Sequence, residues 1–189
     1  MDRPAVLSYY QLDADAEAVL KELADVYYTG QPNFEEILPR VTAVICIDLP
    51  FEHLGKMKSL KMIQSLSAGV DTLPWNSIPA DMIVCGNMGS NAESVAEHTW
   101  ALILALSRRL HQYLPKVRSG DFSKSGENII LWGKTLGVIG MGSIGRLVAS
   151  IGKAFGMRVM GVTRSGKSAA PCDFLGGEES LEYVIRESD

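Results

Sequence analysis

Apolar and polar positions alternate in short blocks along the chain, and the texture changes near residue 90. Before that point the apolar runs Pro4 to Tyr10, Asp25 to Thr29, Val41 to Ile47, Lys61 to Ser67 and Met82 to Cys85 are bounded by polar or turn residues. Runs of that length predict strands. Between the first two, Val19, Leu20 and Leu23 share one face of Asp13 to Ala24, which predicts an amphipathic helix. Gly30-Gln31-Pro32 ends the second strand, and Asn33 is placed to cap a short helix through Leu38. Strand, short helix and strand in succession is how parallel α/β layers read in a sequence.

Beyond residue 90, Ser90 and Glu93 have the spacing of a capping box. The helix they predict runs to about Leu110, with Arg108 and Arg109 at its negative end. From Thr99 to Leu106 it is apolar nearly all round, which predicts burial on several sides, as between two layers or domains. Lys116 to Asn128 is polar, carries Gly120 and Gly126, and reads as a loop or extended arm. Then follow a strand at Thr135 to Ile139, a helix at Ser143 to Phe155, a strand at Arg158 to Thr163 and a helix at Glu178 to Glu187. No internal repeat or low-complexity segment interrupts this order.

Composition narrows the class. The 189 residues are 47% hydrophobic, 21% charged and 7% aromatic, as in ordinary globular proteins. They leave room for one large or two small domains. The longest apolar run, Trp100 to Leu106, falls far short of the ~20 residues that cross a bilayer, so no membrane span is expected. Met1-Asp2-Arg3-Pro4 leads into no apolar signal region, which argues against secretion. Cys46, Cys85 and Cys172 are odd in number and lack metal-ligand spacing; a reduced, cytoplasmic setting is the expectation. Net charge is −4 and the 18 Lys and Arg residues are dispersed, so neither a nucleic acid nor a membrane surface is an expected partner.

The most informative string is Gly140-Met141-Gly142-Ser143-Ile144-Gly145, entered by an apolar strand, left by a helix and followed by a second strand. In that βαβ context Gly140 permits the tight turn, Gly142 lets the backbone approach a pyrophosphate, and Gly145 lets helix and strand pack closely. The helix N-terminus offers N–H groups and a positive dipole end to phosphates. The alternatives are a glycine-rich turn with no ligand and a methyltransferase-type nucleoside site. About 20 residues on, where an NAD-preferring fold places an acid on the ribose, stand Val162-Thr163-Arg164-Ser165-Gly166-Lys167. With no carboxylate there and several donors, NADP is favoured over NAD. The rival reading leaves Arg164 solvated or stacked on adenine. Gly133-Lys134-Thr135 is not a phosphate-binding P-loop: Asn128 stands where its first glycine belongs, and a strand follows instead of a helix. Ser67-Ala68-Gly69-Val70-Asp71 follows a strand, and its glycine could aim consecutive N–H groups outwards as a nest for a carboxylate.

Three motifs in this order resemble those of the D-isomer-specific 2-hydroxyacid dehydrogenases: the Ser67 to Asp71 turn, Asn91-Ala92-x-x-Val95-Ala96-Glu97-His98, and Gly133 to Gly145. The resemblance covers essentially the whole chain. It implies an α/β chain with a flavodoxin-like substrate domain over residues 1–95, then a linking helix and the first half of a Rossmann domain, a truncated doubly wound parallel sheet, over 96–189. It implies cofactor contacts at Gly140, Gly142, Ser143, Ile144 and Gly145, at Thr163, Arg164 and Ser165 around the ribose, and at Thr99 near the nicotinamide. The backbone of Ala68 and Gly69 would hold the carboxylate of a small 2-oxo or 2-hydroxy acid such as glyoxylate or hydroxypyruvate. A hydride would pass between NAD or NADP and the substrate carbon, and the family's habit implies a homodimer. The family's catalytic Arg, Glu and His belong to the later half of the Rossmann domain, past Asp189, so no catalytic residue is expected in this chain and little turnover. His98, His111, in a polar loop His53, and the helix-terminal Arg108 and Arg109 are not read as substitutes. The rival class is a non-catalytic dinucleotide-binding or dimerisation module.

Overall fold

Short β-branched runs separated by helices settle into parallel pairing because each crossover returns the chain to the same end of the sheet. The computed structural model describes residues 3–124 and 126–189; Met1, Asp2 and Ser125 of the polar arm fall outside the described residues. The chain divides into Met1–Ser90 and Asn91–Asp189, a division a few residues before the border read from the sequence.

The first unit carries β1 (Ala5–Ser8), α1 (Ala14–Leu23), β2 (Asp25–Tyr28), α2 (Phe34–Ile37), β3 (Val41–Cys46), α3 (Phe51–Lys56), β4 (Met62–Ser65) and β5 (Ile83–Cys85). All strand pairs are parallel and the order is β2-β1-β3-β4-β5, the flavodoxin-like arrangement. Leu7, Val41, Val44, Cys46 and Ile63 of the strands are fully buried, with Leu38 and Leu54 packed on them. Ala5 pairs with Val41 while Val6 pairs with Ala43, so Thr42 is left over as a bulge in β3.

α1 forms where the sequence predicts it, with Asp13 capping it by accepting from the Ala16 N–H at 2.8 Å, and Val19 and Leu23 of its apolar face stay 62% and 70% exposed. Two expectations for this unit are corrected. Asn33 precedes α2 but makes no side-chain cap; it takes the left-handed conformation with φ 61°, which Asn tolerates better than most residues. His53 lies on α3 rather than in a loop: Pro50 pre-sets the entry φ, and Leu54 anchors a helix too short to leave a periodic signal.

The second unit carries α4 (Ala92–Ser107), α5 (Leu110–Arg118), β6 (Thr135–Ile139), α6 (Ser143–Ala154), β7 (Arg158–Val162), β8 (Phe174–Gly176) and α7 (Leu181–Glu187). Its parallel strands run β6-β7-β8, the order in one half of a Rossmann sheet. Trp100 locks α4 to α6: its Nε1 donates to the Val148 carbonyl at 3.1 Å, and its ring stacks on Phe155 at 4.8 Å between centroids. The Asp173 carboxylate ties β8 to β7, accepting from the Val159 N–H at 2.7 Å and Lys153 Nζ at 2.9 Å.

Here too the structure differs from expectation. The capping box does not form; Ser90 Oγ donates instead to the Asn87 carbonyl at 3.0 Å, and Asn91 occupies the cap position without a side-chain bond. α4 stops at Ser107 rather than near Leu110, because Arg109 turns left-handed with φ 54° and restarts the chain as α5. Arg109 Nε donates to the Glu127 carbonyl at 2.8 Å, so this side chain ties the arm down and is not a solvated end charge. α5 extends through Arg118, into the stretch read as arm. Within the unit α4 is covered on one side: Ala96 and Trp100 are buried, whereas Leu102 and Leu106 are 52% and 66% exposed. Among the described residues no helix is long and apolar enough to cross a membrane.

Candidate functional site

The loop between β6 and α6 assigns its three glycines different tasks. Gly140 has φ 94°, a conformation that side chains resist, and its N–H donates to the Val162 carbonyl at 2.8 Å. A Cβ on Gly145 would lie against the Gly140 carbonyl oxygen and 3.2 Å from Val138 Cγ1, so only glycine lets α6 start this close to the strand. Gly142 has neither constraint. Its φ is −81° and a Cβ there would meet nothing within 4 Å.

Gly142 is also the residue before α6. The first helical bond is from the Arg146 N–H to the Gly142 carbonyl at 3.0 Å, so the N–H groups of Ser143, Ile144 and Gly145 have no acceptor within the helix. No side chain caps them. Three free donors, a helix dipole and open room at Gly142 fit a pyrophosphate.

Thr99 of α4 joins this loop. Together with Ile103, Ile139, Gly140, Ile144 and Gly145 it lines a cleft of about 450 Å³. Its Oγ1 donates to the Val95 carbonyl at 2.8 Å, which leaves the hydroxyl oxygen as an acceptor. Thr163, Arg164 and Ser165 do not line that cleft. They form a turn at the carboxyl end of β7: Ser165 N–H donates to Thr163 Oγ1 at 3.2 Å, and Gly166 N–H to the Thr163 carbonyl at 3.1 Å. The Arg164 guanidinium is 95% exposed, and its Nε lies 3.7 Å from Glu178 Oε1. The sequence therefore hid a carboxylate near this turn. Glu178 follows β8 directly, and only the pairing of β8 with β7 brings it back.

In the first unit, Ala68 and Gly69 lie exposed beyond the carboxyl end of β4, where parallel sheets hold ligands. Gly69 does not take the left-handed conformation. Neighbours fix the Ser67 to Asp71 turn from outside. Buried Ser65 Oγ accepts from the Ser67 N–H at 3.1 Å, the Asn87 N–H donates to the Ser67 carbonyl at 2.9 Å, and Trp75 Nε1 donates to the Val70 carbonyl at 2.9 Å. A Cβ on Gly86 would come 3.2 Å from the Ala68 carbonyl oxygen. Ser65, Trp75 and Gly86 are supports that sequence reasoning did not single out, since nothing local marks them.

The remaining titratable groups are placed elsewhere. His98 and His111 are exposed on helices. Half-buried His53 meets the Tyr9 hydroxyl at 2.6 Å through Nδ1, and the edge of Phe34 at 5.5 Å. Burial, then the charges of Cys46 and Glu52, hold the Tyr9 phenol above its ordinary range. Among the described residues no group of three or more His, Cys, Asp or Glu is arranged to hold a metal.

Known proteins of one family resemble this chain in sequence and fold. Residues 100–189 match the family model for the D-isomer specific 2-hydroxyacid dehydrogenase, NAD binding domain. A glyoxylate reductase of Aeropyrum pernix is 31% identical across 100% of this chain and 62% of its own length. A D-isomer specific 2-hydroxyacid dehydrogenase family protein from Aeromonas salmonicida superposes with a TM-score of 0.85 at 27% identity, over 100% of this chain and 62% of its own. A D-lactate dehydrogenase from Aquifex aeolicus, complexed with NAD and lactic acid, superposes with a TM-score of 0.74 at 31% identity, over 98% and 58%. The chain thus spans about three fifths of the length of these relatives.

Proposed function

The chain belongs to the D-isomer specific 2-hydroxyacid dehydrogenase family, and from that premise we propose that it holds NAD(P) at Gly140 to Gly145 and a small 2-oxo or 2-hydroxy acid at Ala68 and Gly69. The substrate class is that of glyoxylate and hydroxypyruvate. The dinucleotide, when bound, supplies or accepts the hydride. The chain's own residues bind and orient: Ser143, Ile144 and Gly145 donate backbone N–H groups to the pyrophosphate, and Thr99 offers its oxygen at the cleft. The backbone of Ala68 and Gly69, both exposed residues, receives the substrate carboxylate. The observation that carries this reading is the division of labour among Gly140, Gly142 and Gly145, where two glycines serve the turn and the packing while the third faces open space.

NADP is the proposed dinucleotide. Both members of the Arg164–Glu178 pair are exposed, and such a pair is worth about 0–1 kcal/mol. A 2′-phosphate, more highly charged than one carboxylate, takes the guanidinium from Glu178 through charge-assisted hydrogen bonds.

A homodimer is proposed as well. Leu102 and Leu106 of α4 and Leu110, Leu114 and Val117 of α5 are all exposed, two apolar groups on the helices either side of the Arg109 break. Exposed apolar groups of this kind favour a matching apolar surface. Light scattering of the wild type against Leu106→Glu tests it, and a wild-type monomer at micromolar concentration overturns it.

Isothermal titration of NADPH and NADH into the purified 189-residue polypeptide tests the main reading. Saturable binding, tighter for NADPH, is expected. Absence of binding by either would refute it.

A further inference from the structure

The amino ends of the central strands in the first unit form a second polar cavity, away from the carboxylate turn. Pro4 precedes β1, Arg40 precedes β3, Thr42 is the β3 bulge and Lys61 precedes β4. With Arg3 and Ser59 these residues line an open cavity of about 790 Å³. Ala68 and Gly69 lie past the other end of β4, and at ~3.3 Å per strand residue the two places are separated by roughly 13 Å or more.

The charge here departs from that of the chain. Arg3 is partly committed: its Nε lies 3.3 Å from Asp25 Oδ1, and it donates to the Ala24 carbonyl at 3.1 Å. Among the described residues Arg40 and Lys61 have no ion pair or side-chain hydrogen bond. Among the described residues, the three lining cations set against the Asp25 carboxylate leave two positive charges in a single cavity of a protein whose net charge is −4. Like charges held together repel unless an anion joins them.

The two uncommitted cations are also fixed at their roots. Ser59 Oγ donates to the Pro39 carbonyl at 2.9 Å, beside Arg40. The Lys61 N–H donates to the Thr42 carbonyl at 2.9 Å, and Thr42 Oγ1 donates to the Ala5 carbonyl at 3.1 Å. The bulge thus sets Lys61 beside β3, and bulges commonly re-aim side chains at sites. Pro4 is the one apolar lining residue, so a ligand here is recognised through charge.

We propose that this cavity binds a phosphate dianion, free or as the monoester of a small metabolite. The Arg40 fork and the Lys61 ammonium make charge-assisted bonds to its oxygens, and the two uncompensated positive charges match its charge. This proposal is independent of the dehydrogenase reading.

Titration calorimetry at constant ionic strength, with inorganic phosphate and glycerol 2-phosphate against sodium chloride, tests it on the 189-residue polypeptide. Binding of phosphate or its monoester is expected, weakened about tenfold or more in Arg40→Gln and in Lys61→Gln. The tighter of the two ligands tells whether the ester is preferred. Gly142→Ala, which alters the dinucleotide loop, should leave this binding unchanged. Thermal melts in phosphate-free buffer establish that the variants fold; should Arg40→Gln fail, Lys61→Gln with its exposed side chain carries the test. Heats equal to those of chloride overturn the proposal. So does phosphate binding that survives both cation substitutions and disappears in Gly142→Ala.

Discussion

Replacing Gly142 by alanine separates what the loop needs for folding from what it needs for a ligand. The added methyl group meets no atom within 4 Å, and φ −81° suits any residue, so the fold has room for it. Loss of glycine's freedom in the unfolded chain stabilises by about 0.4–1 kcal/mol. A poorer residue at the helix cap costs a similar amount, about 0.5–1 kcal/mol. The net change in stability is therefore near zero. A pyrophosphate approaching Ser143, Ile144 and Gly145 would meet the methyl group and give up at least one charge-assisted hydrogen bond, worth about 1.5–3 kcal/mol. At about 1.4 kcal/mol per factor of ten, NADPH affinity falls ten- to a hundredfold. Urea unfolding and calorimetric titration of wild type and variant measure the two quantities. Unchanged NADPH affinity in a normally folded variant would refute the assignment of Gly142 to the pyrophosphate.

Gly145→Ala should do the reverse: its Cβ is driven against the Gly140 carbonyl, so urea unfolding should show a loss of about 1–3 kcal/mol, and a loss below 0.5 would contradict the packing argument. Arg164→Ala should narrow the NADPH-over-NADH affinity ratio about tenfold or more, the worth of one hydrogen bond to a charged group, while Glu178→Ala should widen it; an unmoved ratio rules out Arg164 as the reader of the 2′-phosphate. Burial, with the Asp48 charge second, pushes the Cys46 thiol from 9.0 up to about 11. Because the folded state holds this proton more tightly, the contribution to stability is complete below pH 9 and is lost as pH rises through 11. At pH 8 its thiolate fraction is about one in a thousand, so iodoacetamide should modify half-buried Cys85 first; mass spectrometry showing Cys46 modified first would contradict this.

What the sequence shows well is what local chemistry decides. β3, β6 and β7 are short, mostly apolar runs, and the parallel layers follow from their order with the helices between them. The glycine loop is legible because strand, loop and helix adjoin. β8 is not: Phe174-Leu175-Gly176 becomes a strand through pairing with Met160 to Val162, a tertiary fact. Glu178 beside Arg164 depends on the same pairing. Asn87 and Trp75 hold the carboxylate turn by donating to its own Ser67 and Val70 carbonyls, and no spacing announces that. The break at Arg109 is similar in kind. An arginine with φ 54° is unusual, and its bond to the Glu127 carbonyl is a tie that exists only once the arm has folded back. The apolar surround of α4 was visible, but which side the unit itself covers is set by Trp100 packing on Phe155.

The central claim is that the start of α6 receives a dinucleotide pyrophosphate. Amide chemical shifts of the 15N-labelled polypeptide, recorded during titration with NADPH, test it at the residues concerned. The largest changes should fall on Ser143, Ile144 and Gly145, with a second group at Thr163 to Ser165. A spectrum unmoved at those amides by saturating NADPH would contradict the account.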